Sequence, residues 1–142
     1  MFPDSLIDRD TLQAYRETHY HVHGTAPMRL EIGITSPELA DLHAAHRVSS
    51  SAFITACNPF SQTLADAANT ERQLALASDL RQRNLSFIDG VGQHPSNAWP
   101  AEASFLILGI SRDEASELGI RHQQNAIVWC GLDAVPQLVL LR

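Results

Sequence analysis

Hydrophobic and polar positions change period several times along the chain, and each change marks an element. Asp8 or Asp10 caps a first helix through about Thr18, with Leu12, Tyr15 and Arg16 on neighbouring turns. His19 to His23 alternates with Tyr20 and Val22. After the break Gly24-Thr25-Ala26-Pro27 the alternation resumes from Met28 to Ile34, which predicts a β-hairpin. Ser36-Pro37-Glu38-Leu39 supplies an N-cap, a proline in the first helical position and an acidic first turn, opening a helix to about His46. The nearly continuous apolar run Ala52–Cys57 suits a strand buried on both faces, ended by Asn58-Pro59. Ser61 is expected to cap a long helix to about Gln82, closed by Asn84 before a strand at Leu85–Ile88. A loop from Asp89 to Ala101 follows, then a doubly apolar strand at Ser104–Leu108. Ser111-Arg112-Asp113-Glu114 forms a capping box for a helix ending near Gly119, and strands at Ala126–Cys130 and Gln137–Leu141 close the pattern.

From Ala52 onward the order is strand, helix, strand, strand, helix, strand, strand, whose first six elements match the split βαβ pattern of ferredoxin-like folds. The strands at 52–57, 104–108 and 126–130 are apolar on both faces, so something must cover the face that the two helices leave open. The N-terminal helices are the available cover. The expected fold is α+β: a central mixed sheet with a ferredoxin-like βαββαβ core, an N-terminal helix-hairpin-helix addition, and helices on both faces. No internal repeat or low-complexity linker interrupts it, and 142 residues suit a single domain over 1–142.

Composition narrows function by exclusion. All ten basic residues are Arg and none is Lys, so neither a lysine Schiff base nor the lysine of a P-loop or kinase site is available. Sixteen acidic residues give a net charge of -6, which repels phosphate backbones and anionic membrane surfaces, so neither nucleic acid nor membrane is an expected partner. No stretch approaches the ~20 apolar residues of a membrane span. Met1-Phe2-Pro3-Asp4 lacks a basic region followed by an apolar one, and a cytoplasmic location is expected. Cys57 and Cys130 lie in or at the end of apolar runs without a second Cys or His at metal-ligand spacing, and read as small reduced core residues.

Several polar residues stand where core residues are expected. Leu76 and Leu80 mark the inward stripe of the long helix, and Arg72 and Asn69 continue it backward. A guanidinium on such a face needs an anionic partner, and Glu102, just before an apolar strand, is the expected one. In the alternative, Arg72 reaches to the edge and Asn69 satisfies a loop carbonyl. Asn58-Pro59-Phe60-Ser61-Gln62 lies at a strand-to-helix junction that can hold an anion, with Ser61 a cap rather than a nucleophile because no G-x-S-x-G elbow surrounds it. Gln124-Asn125, before a strand, can bond a ligand's edge or fix the loop. His94, Trp99 and Glu102 share the long central loop, where a His and a carboxylate could divide acid and base work. His19, His21 and His23 project from one strand face, and a solvent-facing row is preferred there to a zinc or copper site. His43 and His46, three apart on a helix, read as surface residues. No metal or cofactor is expected.

Phe53-Ile54-Thr55-Ala56-Cys57-Asn58-Pro59 with Ser61, then Asn69 and Arg72, Trp99 with Glu102, Ser104 and Phe105, and Gln124-Asn125-Ala126-Ile127-Val128 together carry a resemblance. Through them the chain, over about Tyr15 to Val139, resembles the bacterial family catalogued as domain of unknown function 3293. An aromatic residue is common in that family where Cys57 stands, so the resemblance gives position 57 no site role, and it does not include the His19 to His23 row. It implies a small bacterial domain of unassigned activity, and it groups the awkward polar positions: Asn58, Ser61, Asn69, Arg72, Glu102, Gln124 and Asn125.

If those seven converge, they make a pocket suited to a polar or anionic small molecule. In a strict ferredoxin-like sheet the strand after Glu102 is expected to run parallel to the one ending at Cys57, which leaves Glu102 at the opposite end from Asn58. One shared pocket therefore requires those strands to be antiparallel, or the 89–101 loop to fold toward Arg72. The leading expectation is a ligand-binding or regulatory domain. A structural or protein-interaction module is the next, and a hydrolase or transferase using Glu102 with His94 or Arg72 is the third.

Overall fold

The computed structural model describes residues 5–96 and 99–142. Its elements run α1 (Arg9–Glu17), β1 (His19–Val22), β2 (Met28–Leu30), α2 (Pro37–Ala45), β3 (Ser51–Ile54), α3 (Asp66–Gln82), β4 (Phe87–Gln93), β5 (Glu102–Leu108), α4 (Arg112–Arg121), β6 (Ala126–Cys130) and β7 (Pro136–Leu140). The architecture is α+β, with one seven-stranded sheet in the order β2-β1-β4-β5-β3-β6-β7.

Every neighbouring pair in this sheet is antiparallel, which corrects the expected mixed sheet. Connectivity explains it. The α3 crossover brings β4 into the same direction as β3, and the β4–β5 hairpin then returns β5 into the gap between them, opposed to both. The same geometry through α4 leaves β6 beside β3.

Alternation sends side chains to two cores. On one face Ala52, Ile54, Ile107 and Ile127 pack with Leu76 and Leu80 of α3 and Leu118 of α4. On the other, Phe53, Leu106, Leu108 and Val128 pack with Tyr20, Leu30 and Leu39 of α2. Helices thus lie on both faces, which is why β3 is buried along its whole length.

Local signals act where expected at three helices: Asp8 accepts from the Thr11 amide, Ser36 from Leu39, and Ser111 from Glu114. Asn84, at φ 58°, ends α3 in the left-handed region. Ser61 does not cap α3, which begins five residues later after an Ala65 N-cap without a side-chain bond. Asn58, Phe60 and Ser61 all have positive φ (48°, 53° and 60°), so the chain here turns back on itself before the helix can start. β4 extends to Gln93 and β5 begins at Glu102, shortening the expected 89–101 loop. His43 is buried rather than on the surface, its Nε2 sharing a 2.8 Å hydrogen bond with Ser51 Oγ. Cys57 and Cys130 are free and buried. Among the described residues no helix is long and apolar enough to cross a membrane.

Candidate functional site

The antiparallel pairing of β3 with β5 brings the end of β3 beside the start of β5. Asn58 and Glu102 meet there: Asn58 Nδ2 donates to Glu102 Oε2 at 2.7 Å. The other side of Asn58 is fully used. Its Oδ1 accepts from Asn69 Nδ2 at 2.8 Å and from the Leu64 amide at 2.9 Å, while its own amide donates to Asn69 Oδ1 at 2.8 Å. These bonds hold Asn58 in its left-handed conformation and aim its amide at the carboxylate.

Arg72 is not the partner of Glu102, which corrects the expected ion pair. Its Nε donates to the Ala56 carbonyl at 2.7 Å, its Nη2 to the His122 carbonyl at 2.7 Å and its Nη1 to Gln123 Oε1 at 3.2 Å. The fork thus ties the end of β3 to the α4–β6 turn. Arg72 does lie on the inward side of α3, but the acceptors facing it are main-chain carbonyls beyond a strand end and a helix end. Gln124 acts beside it, donating to the Cys57 carbonyl at 3.1 Å.

Two cavities meet at Asn58 and Glu102. The first, of about 240 Å³, lies under α1 on the α2 side of the sheet, and its lining includes Tyr15, Tyr20, Phe53, Thr55, Gly92, His94, Trp99 and Ser104. Of the seven grouped residues, Asn58, Ser61, Glu102, Gln124 and Asn125 line it. The second, of about 400 Å³, runs along α3 and is lined by Asn58, Asn69, Glu102, Gln73, Leu74 and others. Arg72 lines neither. In the lining of the first cavity Ser61 Oγ and Tyr15 OH are hydrogen-bonded, and Asn125 Nδ2 donates to both at 3.1 Å. The Ser61 hydroxyl thereby joins α1 to the start of β6 in the cavity lining instead of capping a helix.

Glu102 is the electrostatic centre. Burial raises its pKa from the ordinary glutamate value, opposed by the Asn58 hydrogen bond. Its second oxygen, Oε1, has no hydrogen-bond partner among the described residues, and no salt bridge there engages it. Tyr20, whose hydroxyl donates to the Tyr15 carbonyl at 2.6 Å, has a phenol held well above its usual pKa by burial. His94 shares a 2.9 Å contact with Glu17 and faces the same cavity as Glu102. Burial also pushes the Cys57 thiol up, which leaves it a poor nucleophile. His19 lies 3.6 Å from Glu31, and among the described residues no group of three His, Cys, Asp or Glu side chains could hold a metal ion.

Tyr15, Tyr20, Thr55 and Gly92 belong to this cavity and were not singled out in the sequence. One signal was present. Gly90 and Gly92 sit two apart inside a strand, where glycine often marks a close approach. A Cβ at Gly90 would lie 2.5 Å from the His21 carbonyl oxygen and 2.8 Å from the Phe53 ring, so packing requires that glycine. A Cβ at Gly92 would meet nothing closer than 3.8 Å, and Gly92 pairs directly with Glu102.

A family model described as a protein of unknown function (DUF3293) matches residues 54–127. That span runs from the end of β3 to β6 and contains Asn58, Ser61, Asn69, Arg72, Glu102, Gln124 and Asn125. No curated protein and no solved structure matches the chain.

Proposed function

The chain belongs to this family of proteins of unknown function, and we propose from the site that it is a small-molecule-binding domain whose ligand occupies the 240 Å³ cavity with Glu102 as its polar anchor. The observation that carries this reading is that Glu102, with one oxygen unshared among the described residues, lines a cavity whose other walls include aromatic and amide side chains, the usual make-up of a ligand site. Of the two ligand classes suggested by the sequence, polar and anionic, a polar one that donates hydrogen bonds is favoured. Arg72, the cation that motivated the anionic class, is engaged by three acceptors elsewhere.

The strand order supports reading β3 to β6 with α3 and α4 as a ferredoxin-like βαββαβ core carrying an N-terminal helix-hairpin-helix addition, with the cavity at the seam between them. A cytoplasmic location belongs to the same reading and is supported by two free thiols; bacterial origin rests on the family resemblance alone. A hydrolase or transferase is the second reading, favoured by His94 and Glu102 lining one cavity. The structural role suits Arg72 and Asn69, whose bonds join loops to the sheet.

The test is thermal unfolding of the wild type and Gly92→Val with a panel of amines, sugars, nucleosides and carboxylates. Ligand at a hundred times its dissociation constant adds about 2.7 kcal/mol of stability. A compound that raises the wild-type Tm and leaves Gly92→Val unmoved supports the reading. A panel that moves both proteins equally, or neither, removes it.

A further inference from the structure

The charge of the cavity points to the chemical class of its ligand, an inference that rests on the small-molecule reading above. Among the described residues that line it, Glu102 is the only carboxylate and none is an Arg. The guanidinium closest in expectation, Arg72, is turned to the Ala56 and His122 carbonyls. The chain has no Lys to take its place. Asn58 satisfies one Glu102 oxygen with a neutral donor, which leaves Oε1 without a partner among the described residues. A carboxylate partly withdrawn from water with no guanidinium in the described lining carries a desolvation cost, which a cation arriving with the ligand offsets.

The walls agree with the charge. Tyr20 and Phe53 stand edge to face, ring centroids 5.3 Å apart, and both line the cavity along with Trp99. Aromatic faces attract organic cations and exclude water from around them. Gly92, directly opposite Glu102 in the β4–β5 ladder, leaves open a space that a Cβ would fill without a clash. A net charge of -6 adds a general attraction for cations over the whole surface.

We propose that the cavity binds a small organic ammonium ion whose N–H group donates to Glu102 Oε1, with its carbon skeleton lying across Gly92 against Tyr20 and Phe53. The size suits a ligand of roughly one ring or a short chain, since an apolar cavity of about 150 Å³ already accepts benzene.

The inference is tested by NMR titration of the isotope-labelled protein with benzylammonium, phenethylammonium and butylammonium, each beside its neutral alcohol isostere. The amide of Gly92 and the indole of Trp99 report on the cavity, and Glu102→Gln and Gly92→Val are titrated in parallel, their spectra showing whether they fold. The expected result is saturable binding of at least one ammonium ion, at least tenfold tighter than its alcohol. The preference should vanish in Glu102→Gln, and all binding should vanish in Gly92→Val. Should the alcohols bind as tightly as the ammonium ions, with Glu102→Gln unchanged and Gly92→Val silent, the ammonium class is overturned and the cavity remains a ligand site. Should no probe of either kind saturate those signals, both are overturned.

Discussion

Asn58 Nδ2 and Glu102 Oε2 lie 2.7 Å apart, joining the chain just beyond β3 to the first residue of β5 and forming the wall that two cavities share. Because Asn58 also takes bonds from Asn69 and the Leu64 amide, it is the hinge between the strand end and the approach to α3. Asn58→Asp keeps that side of the residue and sets a second carboxylate against Glu102. It should destabilise the protein by about 2 kcal/mol at neutral pH, and most of the loss should return as the pH falls and one of the pair takes a proton. Denaturant unfolding across pH checks both parts.

Glu102→Gln should stabilise the protein at neutral pH. Burial raises the Glu102 pKa, so between the ordinary value near 4.5 and the raised one the folded state holds a proton that the unfolded chain has released. Stability therefore falls as pH rises through that window, and the penalty is complete above it. The glutamine removes the slope and can still accept from Asn58. A gain of roughly 1 kcal/mol over the wild type at pH 7, shrinking to nothing near pH 4, is the expected result of paired melts.

Arg72→Ala should cost about 3 kcal/mol, since it strips charged donors from two main-chain carbonyls and from Gln123. Arg72→Lys should recover less than half of that, because an ammonium cannot reproduce the planar fork. Neither variant should alter ligand affinity once compared at equal folded fraction, which separates Arg72 from the cavity it does not line.

Two glycines of β4 should respond differently. Gly90→Ala drives a methyl group into the His21 carbonyl and the Phe53 ring, and should cost at least about 2 kcal/mol. Gly92→Ala meets only contacts of 3.8 Å or more and should fall within about 0.5 kcal/mol of the wild type. Chemical denaturation of the two variants decides it.

What the sequence made legible was mostly short-range. Ser36 and Ser111 cap helices through a bond three residues away, and the helical stripe of Asn69 and Arg72 follows from residues four apart. What escaped depended on partners distant in the chain. Ser61 has the residue type and place of a cap, yet its hydroxyl is held by Tyr15, 46 residues earlier, and Asn125, 64 later. Arg72 on that stripe predicts an anionic partner, and nothing local says that its acceptors are instead the carbonyls of Ala56 and His122. Strand direction was hidden for the same reason, because β5 fills a gap between β3 and β4 that only the folded sheet defines. Gly90, which close packing requires, and Gly92, which lines the cavity, also make the end of β4 read as loop.

The most direct test of the account is a crystallographic screen of small fragments, including amines, alcohols, amides and acids, soaked into crystals of the wild-type protein. The account predicts that bound fragments concentrate in the 240 Å³ cavity, with a donor within hydrogen-bond distance of Glu102 and the skeleton over Gly92. Fragments that collect instead in the larger cavity along α3, or that leave the Glu102 cavity empty throughout, would contradict it.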